Sequence, residues 1–316
     1  FGSARASRQA TGRRMADRDD GLGDVPRYWD TFLDTRQRSS SLEDARVVLV
    51  PIPYDSTTSY KAGARHGPKA IVTASRQLED YDYELDRDIS EVGIFTTAEI
   101  EPDVSGPEAM VRRTAGVVRS FAATGKLVGV LGGEHTVTIG AVQAMREFHT
   151  DLSVLYLDAH ADLRDEYMGS GWGHASVARR LHGVAPLVQV GVRSLSAGEM
   201  TLIREESLPV LFWPPATKDM DAVSSWALSH LSMHVYVSVD LDVFDPSMMA
   251  AVGNPEPGGM GWEQVTGLLR AVAEARRIVG FDVTELSPGE GPEACAFTAA
   301  KLTYKLIGYA TGGAHA

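Results

Sequence analysis

The sequence predicts an α/β fold in which a parallel sheet is covered by helices on both faces, and three observations lead there. Apolar runs of strand length, rich in Val and Ile, recur along the chain. Between them lie stretches whose apolar residues return with the period of a helix. The runs are nearly uninterrupted rather than alternating, as strands buried on both faces require.

Taken in order, residues 1–44 are polar and aperiodic except for Tyr28, Trp29, Phe32 and Leu33, so an N-terminal arm with one short helix is expected, docked on the body or on a neighbouring subunit. Residues 45–316 then form one expected domain, with no internal repeat and no linker. Its strands are expected at Val47–Pro51, Leu127–Leu131, Val154–Leu157, Leu187–Val190, Val235–Val239 and Ile278–Val283. Helices are expected over 106–124, 137–148, 175–182, 198–206, 219–231, 262–276 and 293–308.

Composition narrows the function. The 316 residues are 44% hydrophobic, enough for a large core, and 30 basic against 42 acidic residues give a formal charge of −12. Phosphate contact needs Lys and Arg, so the balance argues against a nucleic-acid partner, whereas a cationic small molecule suits it. The single cysteine, Cys295, lies in an apolar stretch and is expected to be a buried packing thiol, with the cytoplasm the natural compartment. No apolar run approaches the ~18 residues that span a bilayer, so no membrane partner is expected. Arg5, Arg8, Arg13 and Arg14 leave an organelle transit peptide open, although Asp17, Asp19 and Asp20 follow closely.

In open α/β sheets ligands bind beyond the carboxyl ends of the strands, which directs attention to the polar residues after each run. Leu127–Leu131 is followed by Gly132-Gly133-Glu134-His135-Thr136, Val154–Leu157 by Asp158-Ala159-His160-Ala161-Asp162, and Val235–Val239 by Asp240-Leu241-Asp242. If these segments stay extended, Asp158, His160 and Asp162 project to one side, as do Asp240 and Asp242. With His135 they offer too many ligands for one ion and a suitable number for two divalent ions sharing bridging carboxylates. Such carboxylates, crowded without a cation, would repel one another and be forced toward the protonated form. Two ions roughly 3.5–4 Å apart turn a bound water into hydroxide at neutral pH.

These segments resemble the metal motifs of the arginase and agmatinase family, the ureohydrolases. Further similar stretches are Pro53-Tyr54-Asp55 with Gly63-Ala64-Arg65, Gly258-Gly259, and Phe281-Asp282-Val283-Thr284-Glu285-Leu286-Ser287-Pro288, so the resemblance runs over about 45–310 in the family's order. It implies a three-layer α/β/α sandwich around a parallel sheet, 45–316 as a ureohydrolase catalytic domain, two Mn²⁺ ions, and a homotrimer or homohexamer. It also implies one ion held by His135, Asp158, Asp162 and Asp240 and the other by Asp158, His160, Asp240 and Asp242. The oxygen and imidazole donors suit Mn²⁺ and accept Ni²⁺, Fe²⁺, Co²⁺ or Zn²⁺ as well.

The resemblance assigns orientation of a guanidinium to Glu285 and proton shuttling to His174, while Asp162 as a ligand orients the hydroxide proton; attack on the guanidinium carbon then yields urea and an amine. Arginases hold the amino-acid end of their substrate with Asn and Ser or Thr in the loop after Asp162. Here that loop, Leu163 to Trp172, carries Asp165 and Glu166 instead, an arrangement similar to agmatinases that favours agmatine. Salt bridges are the alternative use of both acids. Asn254, Met260 and Trp172 depart from the family pattern near the expected pocket, which keeps aminopropylagmatine and guanidinobutyrate open as substrates. Two other readings compete: an amide deacylase on a related fold, and a noncatalytic subunit of a hetero-oligomer that uses the ions structurally.

Overall fold

The computed structural model describes residues 30–34, 41–216 and 219–312. Most of the expected arm, Tyr28 and Trp29 included, lies outside the described residues. Phe32–Asp34 forms one 3-10 turn, whose Phe32 is fully buried and whose backbone donates to Thr96 Oγ1.

From there the chain forms β1 (Val47–Ile52), α1 (Gly67–Ser75), a small hairpin of β2 (Tyr81–Asp82) and β3 (Arg87–Asp88), β4 (Ile94–Thr96), α2 (Pro107–Ala122), β5 (Leu127–Gly132) and α3 (Val137–Arg146). It continues through β6 (Leu152–Leu157), α4 (Val177–Leu181), β7 (Leu187–Val192), α5 (Ala197–Glu205), β8 (Val210–Phe212) and α6 (Met220–His230). The last elements are β9 (His234–Asp240), α7 (Trp262–Ala275), β10 (Arg277–Thr284) and α8 (Ala294–Gly312). Every expected strand is present, extended by a residue or two. The sequence reading passed over α1, β4, β8 and the hairpin. These pieces are too short to develop a period, and α1 opens on Gly67-Pro68, a pair that reads as a turn. The helix expected over 175–182 is split, because Ser176 (φ −125°, ψ 9°) ends a 3-10 turn at His174–Ser176 before α4 begins.

The eight-stranded sheet runs in the order β4-β1-β5-β10-β9-β6-β7-β8, and each neighbouring pair is parallel. Alternate residues of one strand feed different cores: Val47 and Leu49 face α1, α7 and α8, whereas Val48, Val50 and Ile52 face α2 and α3. That is the three-layer sandwich, and it explains the unbroken apolar runs, since both faces of each central strand must be covered. The edge strands β4 and β8 have three residues each, too short to template further pairing. The sheet order also places β5, β10, β9 and β6 side by side at the centre although they are far apart in sequence. All of them end on the same side, where the polar motifs follow.

Candidate functional site

Each of these central strands delivers part of one cluster. After β5 the chain turns sharply at Gly133, where a Cβ would lie 1.9 Å from the Tyr54 carbonyl oxygen, so only glycine lets the β1 and β5 ends come this close. His135 follows, its ring stacked on that of Tyr156 at 4.6 Å. After β6 come Asp158, His160 and Asp162; Asp240 closes β9; and Glu285 follows β10.

The route by which the carboxylates converge differs from simple alternation. Beyond Leu157 the chain leaves the strand but stays hydrogen-bonded to β7 and the residues after it, through Asp158 N–H to the Val190 carbonyl and the His160–Ser194 bridge, and Asp162 sits in the left-handed region at φ 49°. Asp240 and Asp242 are gathered by a 3-10 turn over Leu241–Val243, with the Asp240 carboxylate accepting from Asp242 N–H at 2.8 Å. Glu285 is also left-handed, at φ 65°. A non-glycine residue pays for that conformation in local strain, and it persists only where the surroundings hold it.

The result is two triplets sharing Asp158. His135, Asp158 and Asp240 present ligand atoms within 4.8 Å of one another, and so do Asp158, His160 and Asp242. His135 Nδ1 lies 3.1 Å from Asp158 Oδ2, 3.3 Å from Asp240 Oδ2 and 3.7 Å from Asp162 Oδ2, while His160 Nδ1 lies 2.9 Å from Asp242 Oδ2. The sequence-derived residues His135, Asp158, His160, Asp162, Asp240 and Asp242 are thus brought together.

These groups fit a pair of divalent cations. The aspartates are at most 6% exposed, and Asp158 Oδ2 is buried without a hydrogen-bond donor. Burial, and then the charges of Asp158 and Asp242 respectively, push the Asp162 and Asp240 carboxyls well above the ordinary carboxylate range. Burial opposes charge on His135 and His160 too, but the carboxylates around them overcome it and raise both imidazoles. Without a cation these groups must take up protons to remain buried together, and the oxygen and imidazole donors are those that hard to borderline divalent ions take.

Outer groups fix the donors. His135 Nε2 lies 2.8 Å from Ser238 Oγ, which in turn donates to the fully buried Asp282 carboxylate at 2.8 Å, so Nε2 carries the ring proton and Nδ1 faces the aspartates. Tyr156 O–H donates to Asp162 Oδ2 at 2.8 Å. Arg193 donates to the backbone carbonyls of Gly191, Asp242, Val243, Phe244, Glu256 and Pro257, tying the end of β7 to the Asp242 turn and to the 253–257 loop. None of Tyr156, Ser238, Asp282 or Arg193 was singled out from sequence; the charged Asp282 inside an apolar strand was the one visible signal.

A cavity of about 560 Å³ opens over the cluster and is also lined by His174, Glu285, Tyr60, Asn254 and Glu256. Glu285 Oε1 accepts His135 N–H at 2.7 Å, and burial, reinforced by the Glu134 charge, raises its carboxyl to about 8. Burial and the His160 charge depress His174 to about 4, which keeps the ring neutral. The loop acids turn away: Asp165 is exposed and paired with Arg180 and Arg179, and Glu166 is exposed outside the cavity lining. The salt-bridge alternative therefore holds for Asp165. Among the histidines outside the cluster, His182 pairs with Glu206 and His234 with Asp151. Cys295 is a buried free thiol, as expected.

An open parallel α/β sheet with a two-centre carboxylate and imidazole cluster at its strand ends defines a class of proteins built to hold paired divalent cations. The sequence profile of the arginase family matches residues 45–308, and the chain belongs to that dinuclear-metal-dependent family of hydrolases acting on carbon–nitrogen bonds in linear amidines. Among its relatives, the N(1)-aminopropylagmatine ureohydrolase of Synechocystis sp. is 39% identical over 88% of this chain and 93% of its own length. The enzyme of the same name from Thermus thermophilus is 41% identical over 86% and 92%. The crystal structure of the agmatine ureohydrolase of Thermoplasma volcanium superposes with a TM-score of 0.76 at 31% identity, covering 86% of this chain and 92% of that one.

Proposed function

We propose that the cluster holds two divalent cations, Mn²⁺ foremost, and that the protein releases urea from a guanidino group borne on a cationic alkylamine. The observation that carries this reading is the convergence of His135, Asp158, His160, Asp162, Asp240 and Asp242 beneath a cavity shared with His174 and Glu285. His135, Asp158, Asp162 and Asp240 would hold one ion, and Asp158, His160, Asp240 and Asp242 the other. When bound, the pair supplies a strong oxygen nucleophile at neutral pH and charge to stabilise the developing adduct.

The chain's own residues do the rest. Glu285, anchored on His135 N–H, receives the guanidinium edge and holds its carbon over the cluster; the incoming cation favours the ionised carboxylate and draws its pKa back down. Asp162, steadied by Tyr156 O–H, orients the attacking water. His174 delivers a proton to the alkyl nitrogen as its bond to the guanidinium carbon breaks, so that water and the guanidine become urea and an amine.

For the tail we put N1-aminopropylagmatine first and agmatine second. The identities near 40% to enzymes named for the former support that order. Asp165 is occupied by arginines, which leaves Glu256, a lining residue of the cavity, as the acid available to a distal ammonium of either substrate. We further take residues 45–316 as the catalytic domain and 1–44 as an arm, the whole working as a homotrimer or homohexamer in the cytoplasm. Urea release from N1-aminopropylagmatine, agmatine, 4-guanidinobutyrate and arginine, with Mn²⁺ present, tests the proposal; no urea from any of them overturns it.

A further inference from the structure

The loop that leaves β1, Tyr54 to Ser59, carries no residue that the functional reading uses, yet it grips both nitrogens of the His174 ring. Its shape is set by Glu134, a fully buried carboxylate next to His135 in sequence. Glu134 Oε2 accepts the backbone N–H groups of Ser56 and Thr57, both at 2.7 Å, and Oε1 accepts the Thr57 hydroxyl at 2.8 Å. A threonine hydroxyl has one hydrogen to give. With that hydrogen committed to Glu134, Thr57 Oγ1 offers only lone pairs elsewhere.

Those lone pairs meet His174 twice. Thr57 Oγ1 accepts the His174 backbone N–H at 3.0 Å and lies 3.3 Å from the ring nitrogen Nδ1. Facing a pure acceptor, Nδ1 is the nitrogen that keeps its proton in the neutral ring. The other nitrogen, Nε2, stands 3.1 Å from Ser59 Oγ, an exposed hydroxyl on the cavity wall. Ser59 Oγ also accepts from Asn254 Nδ2 at 3.4 Å, which leaves its own hydrogen to donate to a bare Nε2 and a second lone pair to accept from a protonated one, so Ser59 accommodates both states. Also acting on the ring are the Thr57 backbone, which favours the protonated form, the Tyr167 ring, edge-on at 6.5 Å, and the charges of His160, His135 and Asp158.

We propose that Thr57, anchored by Glu134, is a positioning residue that locks the proton of His174 on Nδ1, so that Nε2 alone takes up and delivers the proton of the reaction. This rests on the ureohydrolase reading and deepens it. In the working step Nε2 of the neutral Nδ1–H ring takes the proton that the attacking water gives up and passes it to the departing alkyl nitrogen as that nitrogen's bond to carbon breaks, so the ring begins and ends neutral. Without the Thr57 hydroxyl oxygen Nδ1 loses its side-chain acceptor, the preference for the Nδ1–H form weakens, and the fraction poised for transfer falls.

The test compares Thr57→Val, which keeps the shape and removes the hydroxyl, with Thr57→Ser, which restores it. Urea release is followed from pH 6 to 10, alongside metal content. The expected result for Thr57→Val is a kcat lower by about 10- to 100-fold, a displaced pH profile, and KM and metal content within about twofold of the parent. Thr57→Ser is expected to stay within about threefold throughout. Glu134→Gln gives a second reading should the valine variant fold poorly: its amide would donate to Thr57, turn the hydroxyl hydrogen toward Nδ1, and lower kcat in the same way. The inference is overturned if Thr57→Val keeps the parental kcat and pH profile, if the loss falls in KM alone, or if Thr57→Ser loses as much as Thr57→Val. It is equally overturned if Glu134→Gln keeps the parental kcat. Absence of urea from the parent protein overturns the functional reading itself, and this inference with it.

Discussion

Removing the metal should make the stability of the protein fall steeply as pH rises, and the size of the effect can be worked from Glu285. Its carboxyl is carried from an ordinary 4.5 to about 8, first by burial and then by the Glu134 charge. A group whose folded pKa is raised adds stability that is fully present below its unfolded value and is lost as pH climbs through the folded one. For Glu285 that window is pH 4.5 to about 8, and the loss across it is on the order of 5 kcal/mol. Asp162 and Asp240, also raised, act in the same direction, and so do His135 and His160 from pH 6.5 upward. Asp158 and His174 are lowered: Asp158, held ionised by His135 and His160, loses its contribution only in acid, while His174, depressed to about 4, adds stability as pH rises to 6.5, so the net fall is steepest above pH 6.5. A loss of this size is a large part of the ~5–15 kcal/mol that holds a typical domain folded, and corresponds to a fall on the order of 10 °C in thermal midpoint. The assay is thermal unfolding of chelator-stripped and Mn²⁺-loaded protein at matched pH from 5 to 9, since the difference between the curves cancels groups remote from the cluster. A gap that widens with pH is expected. A stripped protein as stable at pH 8.5 as at pH 5.5, or a gap independent of pH, would refute the reasoning.

Other outcomes follow from single contacts. Glu285→Gln keeps the acceptor for His135 N–H but removes the charge that meets the guanidinium, so kcat/KM should drop by at least about 100-fold with metal content retained; steady-state urea kinetics and metal analysis check it. Asp282→Asn and Ser238→Ala disturb the chain that fixes the His135 proton and should weaken metal binding by about 10- to 100-fold, read by chelator competition. Glu256→Gln should raise KM for amine-tailed guanidines while leaving an alkylguanidine with an uncharged tail unaffected; an equal change for both would remove Glu256 from tail recognition.

Much of the sheet was legible because a strand buried on both faces must be apolar at nearly every position, as Val47–Val50 and Val235–Val239 are. What escaped was short or at an edge: β4 and β8 have too few residues to stand out, and the nine-residue α1 hides behind Gly67-Pro68. The cluster was visible for a related reason, since Asp158, Asp240 and His135 each break an apolar run at its carboxyl end. Their supporting groups were not, because Ser238 and Asp282 matter only once β9 and β10 are neighbours, and that pairing is non-local. Thr57 and Ser59 meet His174 across more than 110 positions of sequence. Asp165 shows the converse: an acid in the right loop can still point away, toward Arg179 and Arg180.

The most direct test of the central claim is urea release by the purified chain alone, loaded with Mn²⁺, from N1-aminopropylagmatine and agmatine, measured beside Asp158→Asn. Asp158 is the one aspartate common to both triplets, so its loss should abolish turnover and metal retention together. The account predicts urea from the parent with at least one of the two substrates and none from the variant. A parent that binds metal yet yields no urea from any guanidine would contradict it and leave the cluster with a structural role.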